Sequence, residues 1–371
     1  VSSLPENNSH RIRLSAASPV VDLFLLNSGD PHSALLVARC AGDVVTARLG
    51  LAELREMGEF RNRLRRAVLG LERAPGAEEC YEFGRRLHEY LFQGEAARFY
   101  ARLPQSHVRM QLLVNHAGLA DLPWEFLAEP RGFGGPIRNR SLARLVPAQG
   151  HLAPVPRYSR DGLRVLLVTA SPPDQFPVDS ESARLALEFA FRQYAPAEVS
   201  LVVVEAATRR SLRQAIARHP FDVLHFIGHG DVSGDGTGRL VLIDARTRRT
   251  DYIRAPEVAR LVAGLPLRLV ILSACESAAG DFHNDFGCLA AALVRCGIPA
   301  VVANQLPIPN TATAPFVAGM YSALLQHGDI DRAVVEGRIA LAQDLNSFEW
   351  AIPVLYRHYE ATHLFQGGMD D

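Results

Sequence analysis

The chain holds 371 residues, 48% of them apolar and 21% charged, with 28 glycines and 23 prolines. That globular profile excludes a disordered tail, a collagen-like repeat and a small disulfide scaffold. The 39 cations, all arginine, meet 40 acids for a net charge of −1, and neither half is basic enough to announce a nucleic-acid partner.

In chain order, Val1 replaces an initiator Met and no basic, apolar leader follows, so no signal peptide is read and an upstream domain is left open. No apolar run approaches the roughly 20 residues a membrane helix needs. Short strands are predicted at Val21–Leu26, Ala34–Arg39, Val44–Arg48 and Val108–Val114, and helices at Leu51–Leu71 and Glu78–Leu91. Arg61, Arg63, Arg65 and Arg66 read as a solvated face of the first helix. Pro147, Gly150, Pro154 and Pro156 stop both helix and strand, which places a linker at 151–161 between an N-terminal α/β unit (1–150) and a second unit (162–371).

Beyond the linker the pattern alternates. Strands are predicted at Leu163–Ala170, Val199–Val204, Asp222–Gly228, Gly238–Asp244, Leu267–Ala274, Pro299–Ala303 and Ile352–Tyr356. Between them come helices at Asp179–Tyr194, Ser211–Arg218, Pro256–Ala263, Phe286–Cys296, Ala314–Gln326 and Arg332–Leu345. Continuous apolar strands interleaved with helices mean a mostly parallel sheet covered on both faces.

Two strand ends carry chemistry. Phe221-Asp-Val-Leu-His-Phe-Ile-Gly-His-Gly230 ends in a histidine bracketed by glycines, which let the backbone turn and approach a ligand closely. His229 is expected exposed at the strand's C-terminal end, where open parallel sheets bind ligands. His225, within the strand, is expected as a packed core histidine. Leu269-Val-Ile-Leu-Ser-Ala-Cys-Glu-Ser277 puts Cys275 at the corresponding end of another buried strand. Cys288 and Cys296 fall on a helix, where cysteine behaves as a small hydrophobe. Five cysteines without C-x-x-C spacing predict a reduced, cytoplasmic protein with neither disulfides nor a zinc site. A Cys and a His at neighbouring strand ends supply what cysteine acyl transfer needs: a thiolate nucleophile and an imidazolium to protonate the leaving amine.

With these segments stand Gly287-Cys-Leu-Ala-Ala-Ala-Leu293, Gly297-Ile-Pro-Ala-Val-Val-Ala-Asn-Gln305 and Trp350-Ala-Ile-Pro-Val-Leu-Tyr356. Together, over about 163 to 357, they resemble the CHAT family, a branch of the caspase-like cysteine peptidases related to separase. Leu122-Pro-Trp-Glu-Phe-Leu127 also looks like a segment of the N-terminal half of such proteins, a degenerate caspase-like α/β subdomain lacking the dyad. The resemblance implies a six-stranded, mostly parallel sheet with helices on both faces. It implies Cys275 as nucleophile, His229 as general acid and base, and an oxyanion hole from the backbone N–H groups of Gly230 and Cys275. Substrate would lie extended along the strand edge after residue 303.

Basic-specific relatives carry an acid two residues before the nucleophile, where this chain has Ser273. A pocket lined by Ser273, Asn304 and Gln305 offers hydrogen bonds but no charge, so a neutral P1 residue is expected. Asp231, beside the histidine, is the carboxylate that would reverse this by swinging into the pocket. No cofactor or metal is implied. The expected partners are a protein substrate and an activating domain or subunit, in bacterial defence or cell-death signalling. The rival reading is a catalytically inactive, caspase-like peptide-binding scaffold. A nucleotide-binding module finds neither a G-x-G-x-x-G opening a helix nor a Walker A motif.

Overall fold

The structure, a computed structural model, describes residues 18–129, 139–147, 162–194, 199–235, 237–276, 285–306, 308–343, 348–359, 361 and 364–365. The expected linker 151–161 lies outside the described residues, as does Ser277.

The chain first lays down β1 (Val20–Asn27), β2 (Ser33–Cys40) and β3 (Asp43–Gly50) as an antiparallel meander. In β1 every second residue is inward, with Val21, Leu23 and Leu25 fully buried. Cys40 pairs with Asp43 across a two-residue turn whose Ala41 and Gly42 both take positive φ (47° and 94°), the conformation that matches hairpin twist. Helices α1 (Leu54–Val68), α2 (Ala77–Leu91) and α3 (Glu95–Ala101) then cross over, so that β4 (Val108–Asn115) returns parallel to β1. Arg63 pairs with Glu79, Arg66 with Glu72 and Arg61 with Asp121, and Arg65 is buried. The arginine run is thus tied into its neighbours rather than merely solvated. A short α4 (Ala117–Ala120) and a tight turn at Trp124–Phe126 lead to β5 (Arg140–Leu145), parallel to β4.

The second half runs β6 (Leu163–Thr169), α5 (Ser180–Tyr194), β7 (Val199–Val204), α6 (Arg209–Arg218), β8 (Val223–Val232), β9 (Gly238–Ile243), β10 (Thr250–Arg254), α7 (Ala255–Val262) and β11 (Leu269–Glu276). It closes with α8 (Asp285–Arg295), β12 (Ala300–Asn304), α9 (Asn310–His327), α10 (Ile330–Leu341) and β13 (Pro353–Arg357). Thr208 caps α6, Asp329 caps α10, and Gly328 at φ 65° ends α9. The strands order as β7-β6-β8-β11-β12-β13, parallel except for β12–β13. This is the mostly parallel six-stranded sheet expected, with β9 and β10 added as a hairpin beside the end of β8.

The sheet does not stop there. β13 pairs in parallel with β5, so the strands of both halves form one continuous sheet. Alternation along the strands builds a core on each face. Val165, Val223, Ile271 and Val302 point to the face covered by α9 and α10, and that core continues into Leu23, Leu25 and Met110 of the first half. Leu166, Phe226, Val270 and Val301 point to the face covered by α7 and α8. No described helix is long and apolar enough to cross a membrane.

Candidate active site

β8 and β11 lie side by side in a register that runs from Val223 opposite Leu269 to His229 opposite Cys275 and Gly230 opposite Glu276. Paired strands are about 4.8 Å apart, so the backbones of His229 and Cys275 are neighbours at the C-terminal ends of two central strands. The Cys275 side chain lies outside what is described. By the strand period, position 275 shares a sheet face with 271 and 273, the face that His225 and His229 also occupy.

The glycines beside His229 act differently from expectation. β8 runs straight through Gly228 and Gly230 to Val232, because β9 takes over as its partner at Gly230↔Leu240. No turn occurs there. Gly228 instead permits close approach: a Cβ at that position would sit 2.7 Å from both the Ala170 carbonyl oxygen and the Phe226 ring. The Ala170 N–H, in turn, donates to the Ile227 carbonyl.

His229 is also not exposed; only 3% of it is accessible. After β6 ends, the segment 171–178 folds over the histidine and brings the Phe176 carbonyl to 2.6 Å from Nε2. A carbonyl only accepts, so Nε2 carries hydrogen and Nδ1 is the nitrogen with a lone pair to offer in the neutral ring. Among the described residues, Nδ1 is buried without a hydrogen-bond partner. The covering segment is tethered at both ends. The Asp174 carboxylate accepts from the Thr250 N–H and hydroxyl. At the start of α9, Asn310 accepts from the Asp179 N–H and donates to the Pro177 carbonyl.

The expected pocket residues are dispersed. Asp231 is paired with Arg239 at 2.6 Å, and that guanidinium lies 3.7 Å from the centre of the Tyr252 ring. Ser273 is buried, with its Oγ 3.0 Å from His225 Nε2. Gln305 donates to Glu125 and to the Ala351 carbonyl and accepts from Arg144, so it belongs to the junction of the two halves. Asn304 is buried opposite Pro353. Both edges of β12 are occupied, by β11 and β13, and the Gln305 N–H is bonded to the Ile352 carbonyl. Strand-like pairing of a substrate through residue 305 is therefore blocked.

His225 is the packed core histidine that alternation predicts, fully buried and bonded through both ring nitrogens. Cys288 and Cys296 face outward instead of packing as small hydrophobes, because α8 turns Leu289, Ala290, Leu293 and Val294 to the sheet. Among the described cysteines Cys80 is the buried one, its thiol pushed up to about 12 by desolvation. Among the described residues no cluster of three or more His, Cys, Asp or Glu is placed to hold a metal. The Phe176 contact was beyond sequence reasoning, since a backbone acceptor leaves no mark in residue type.

The sequence matches the CHAT domain family over residues 81–358, which takes in Leu122–Leu127 and begins far upstream of the segments that first carried the resemblance. No curated protein matches the chain significantly. Two crystal structures of the Saccharomyces cerevisiae separase–securin complex are similar at TM-scores of 0.52 and 0.50, each at 12% identity over 91% of this chain. A complex of Porphyromonas gingivalis RgpB pro- and mature domains is matched at TM-score 0.42 and 12% identity, over 84% of this chain and 77% of that one. This chain spans only 30% of the separase chains it matches, and at such identity the likeness is one of fold. With three quarters of its residues inside the family match and its folded core like that of separase, the chain belongs to the CHAT domain family.

Proposed function

We propose that the chain is a cysteine endopeptidase in which Cys275 is the nucleophile and His229 the general base and acid. The observation that carries this reading is the pairing of the two residues at adjacent strand ends with the Phe176 carbonyl on His229 Nε2. With hydrogen held on Nε2, Nδ1 takes the thiol proton of Cys275. The thiolate attacks the scissile carbonyl, and the N–H groups of Gly230 and Cys275 receive the developing oxyanion, each worth on the order of 3 kcal/mol. The imidazolium returns its proton to the leaving amine as the C–N bond breaks. Water, deprotonated by His229, then releases the acyl group from sulfur.

The P1 residue is neutral in this reading. Asp231 is engaged by Arg239, and a buried arginine or lysine without a carboxylate costs several kcal/mol. Asn304 remains as a polar, uncharged group near the strand ends. An intracellular endopeptidase must be held off until needed, which calls for an activating partner domain or subunit; separase in the similar structures is complexed with the protein securin. We assign the chain to regulated cleavage of a specific protein in bacterial defence or cell death.

N-terminal mapping of host lysate treated with the protein, against its Cys275→Ala form, tests the assignment. New termini confined to the unaltered protein, with a neutral residue before each cut, are expected. Equal cleavage by the Cys275→Ala protein would sink the nucleophile. A peptide-binding scaffold would capture protein and cut none.

A further inference from the structure

On the sheet face that carries positions 229 and 275, three buried side chains form a chain of hydrogen bonds. Ser273 Oγ lies 3.0 Å from His225 Nε2, and the Tyr321 hydroxyl of α9 lies 3.3 Å from His225 Nδ1. The imidazole and phenol rings are near parallel at 5.8 Å, and Phe191 of α5 meets the phenol edge-on at 5.5 Å. His225 and Tyr321 have no solvent access. Burial pushes the imidazole down to about 3 and the phenol far above its ordinary range, so both are neutral at any physiological pH.

A neutral imidazole has one N–H and one lone pair, so of the two hydroxyls one donates to the ring and the other accepts from it, whichever tautomer is present. The linkage joins α9 through β8 to β11 and ends two residues before Cys275.

The neighbours of these groups on the same face are apolar: Val223 and Ile227 on β8, Leu269 and Ile271 on β11. Apolar side chains at 225 and 273 would fill the space, but dispersion contacts are non-directional and slide. Hydrogen bonds are directional, and three hydrogen-bonded groups on three elements fix where the strand ends sit relative to each other. A nucleophile and base displaced by about 1 Å lose on the order of 10²-fold in rate.

We propose that Tyr321, His225 and Ser273 are positioning residues for the dyad, holding the His229 and Cys275 strand ends in the register at which the thiol proton passes to His229. This rests on the Cys275–His229 reading above. It also takes Ser273 out of substrate contact and gives it a role toward Cys275.

The test needs no substrate. The rate of Cys275 alkylation by iodoacetamide is measured against pH, site by site by peptide mass spectrometry, with exposed Cys288 and Cys296 as internal references. In the unaltered protein Cys275 should show a midpoint below the roughly 8.5 of an ordinary thiol. Tyr321→Phe keeps the ring and removes its hydroxyl; Ser273→Ala removes the hydroxyl at the other end. Each should raise the midpoint by about one unit and slow alkylation at neutral pH about tenfold, and Ser273→Thr should restore both. If Tyr321→Phe does not fold, the Ala and Thr forms at position 273 carry the comparison. A lowered melting temperature with an unchanged Cys275 midpoint would reduce the chain to packing and overturn the proposal. If unaltered Cys275 titrates with Cys288 and Cys296, or His229→Ala leaves its midpoint in place, the dyad itself fails and the positioning role falls with it.

Discussion

The Phe176 carbonyl decides which nitrogen of His229 holds hydrogen, and His225 shows the opposite use of the same side chain four residues away. One ring is oriented by a backbone acceptor and keeps a nitrogen that is unpaired among the described residues; the other is satisfied on both sides and locked neutral. That contrast has a thermodynamic consequence. Burial holds the folded His225 pKa near 3, whereas an unfolded histidine titrates near 6.5. Between those values the unfolded chain binds the extra proton, so stability falls as pH falls from about 6.5 toward about 3. His88, His107 and His327 are shifted down by burial in the same sense. Urea melts from pH 4.5 to 6.5 on the unaltered and His225→Gln proteins isolate the one group: the variant should lose up to about 1.4 kcal/mol per pH unit of slope. Parallel slopes would mean that His225 is not buried as a neutral base. His229→Ala should cost 10²-fold or more in peptidase rate, while Cys288→Ala and Cys296→Ala should stay within about 0.5 kcal/mol in stability and keep activity, since both face solvent.

At the scale of the element, what could be read from sequence follows from how each strand is buried. β6, β8 and β11 are covered on both faces, so their residues are a continuous apolar run, and two of those runs led to His229 and Cys275. β5 was not legible. Its sequence, Arg-Ser-Leu-Ala-Arg-Leu, looks solvent-exposed, yet Arg140 and Arg144 are buried. Arg144 is accommodated there because Glu125, in the turn before it, meets it at 2.6 Å and the Ala120 and Leu122 carbonyls and Gln305 accept its other hydrogens. β10, the second strand of the β9–β10 hairpin, hid for another reason: Arg248 stands at φ 62° in the turn before it, where glycine would have been the signal. Ser273 and Gln305 looked like pocket residues because their partners lie 48 residues before one and 180 before the other, a distance that no local pattern spans. Gly228 was picked out correctly and explained wrongly. It serves the crossing of β8 by the chain leaving β6, so Gly228→Ala should destabilise by about 1–3 kcal/mol through overpacking. Gly234→Ala, with nothing within 4 Å of the added carbon, is the control. Equal melting temperatures for the two would show that the Ala170 carbonyl yields freely.

At the scale of the whole molecule, the two halves are joined through buried charge as well as by strand pairing. Arg109 of β4 meets Asp329 at 2.6 Å and Asp331 of α10 at 3.6 Å, and Asp331, fully buried, also holds Arg357 of β13 at 2.8 Å. Arg144 and Glu125 bring Gln305, from the end of β12, into the same junction. Burial alone would raise the Glu125 carboxyl, but the Arg144 guanidinium and its hydrogen bonds outweigh it, and the net shift is downward. A carboxylate depressed in the folded state stabilises above its unfolded value of about 4.3 and loses that contribution as pH falls through the folded value. Glu125→Ala leaves Arg144 buried and uncompensated, which should cost about 3–5 kcal/mol at neutral pH. Replacing both residues with methionine should return much of it, because the desolvation of two charges is then removed together with their attraction. Since β13 and β5 are neighbours in one sheet, the loss should appear as a single earlier transition shared by fluorescence of Trp124, in the first half, and Trp350, in the second. Single-Trp proteins read each half separately. Two resolved transitions, with Trp124 melting first and Trp350 unmoved, would show that the halves fold independently and that the junction is only contact between them.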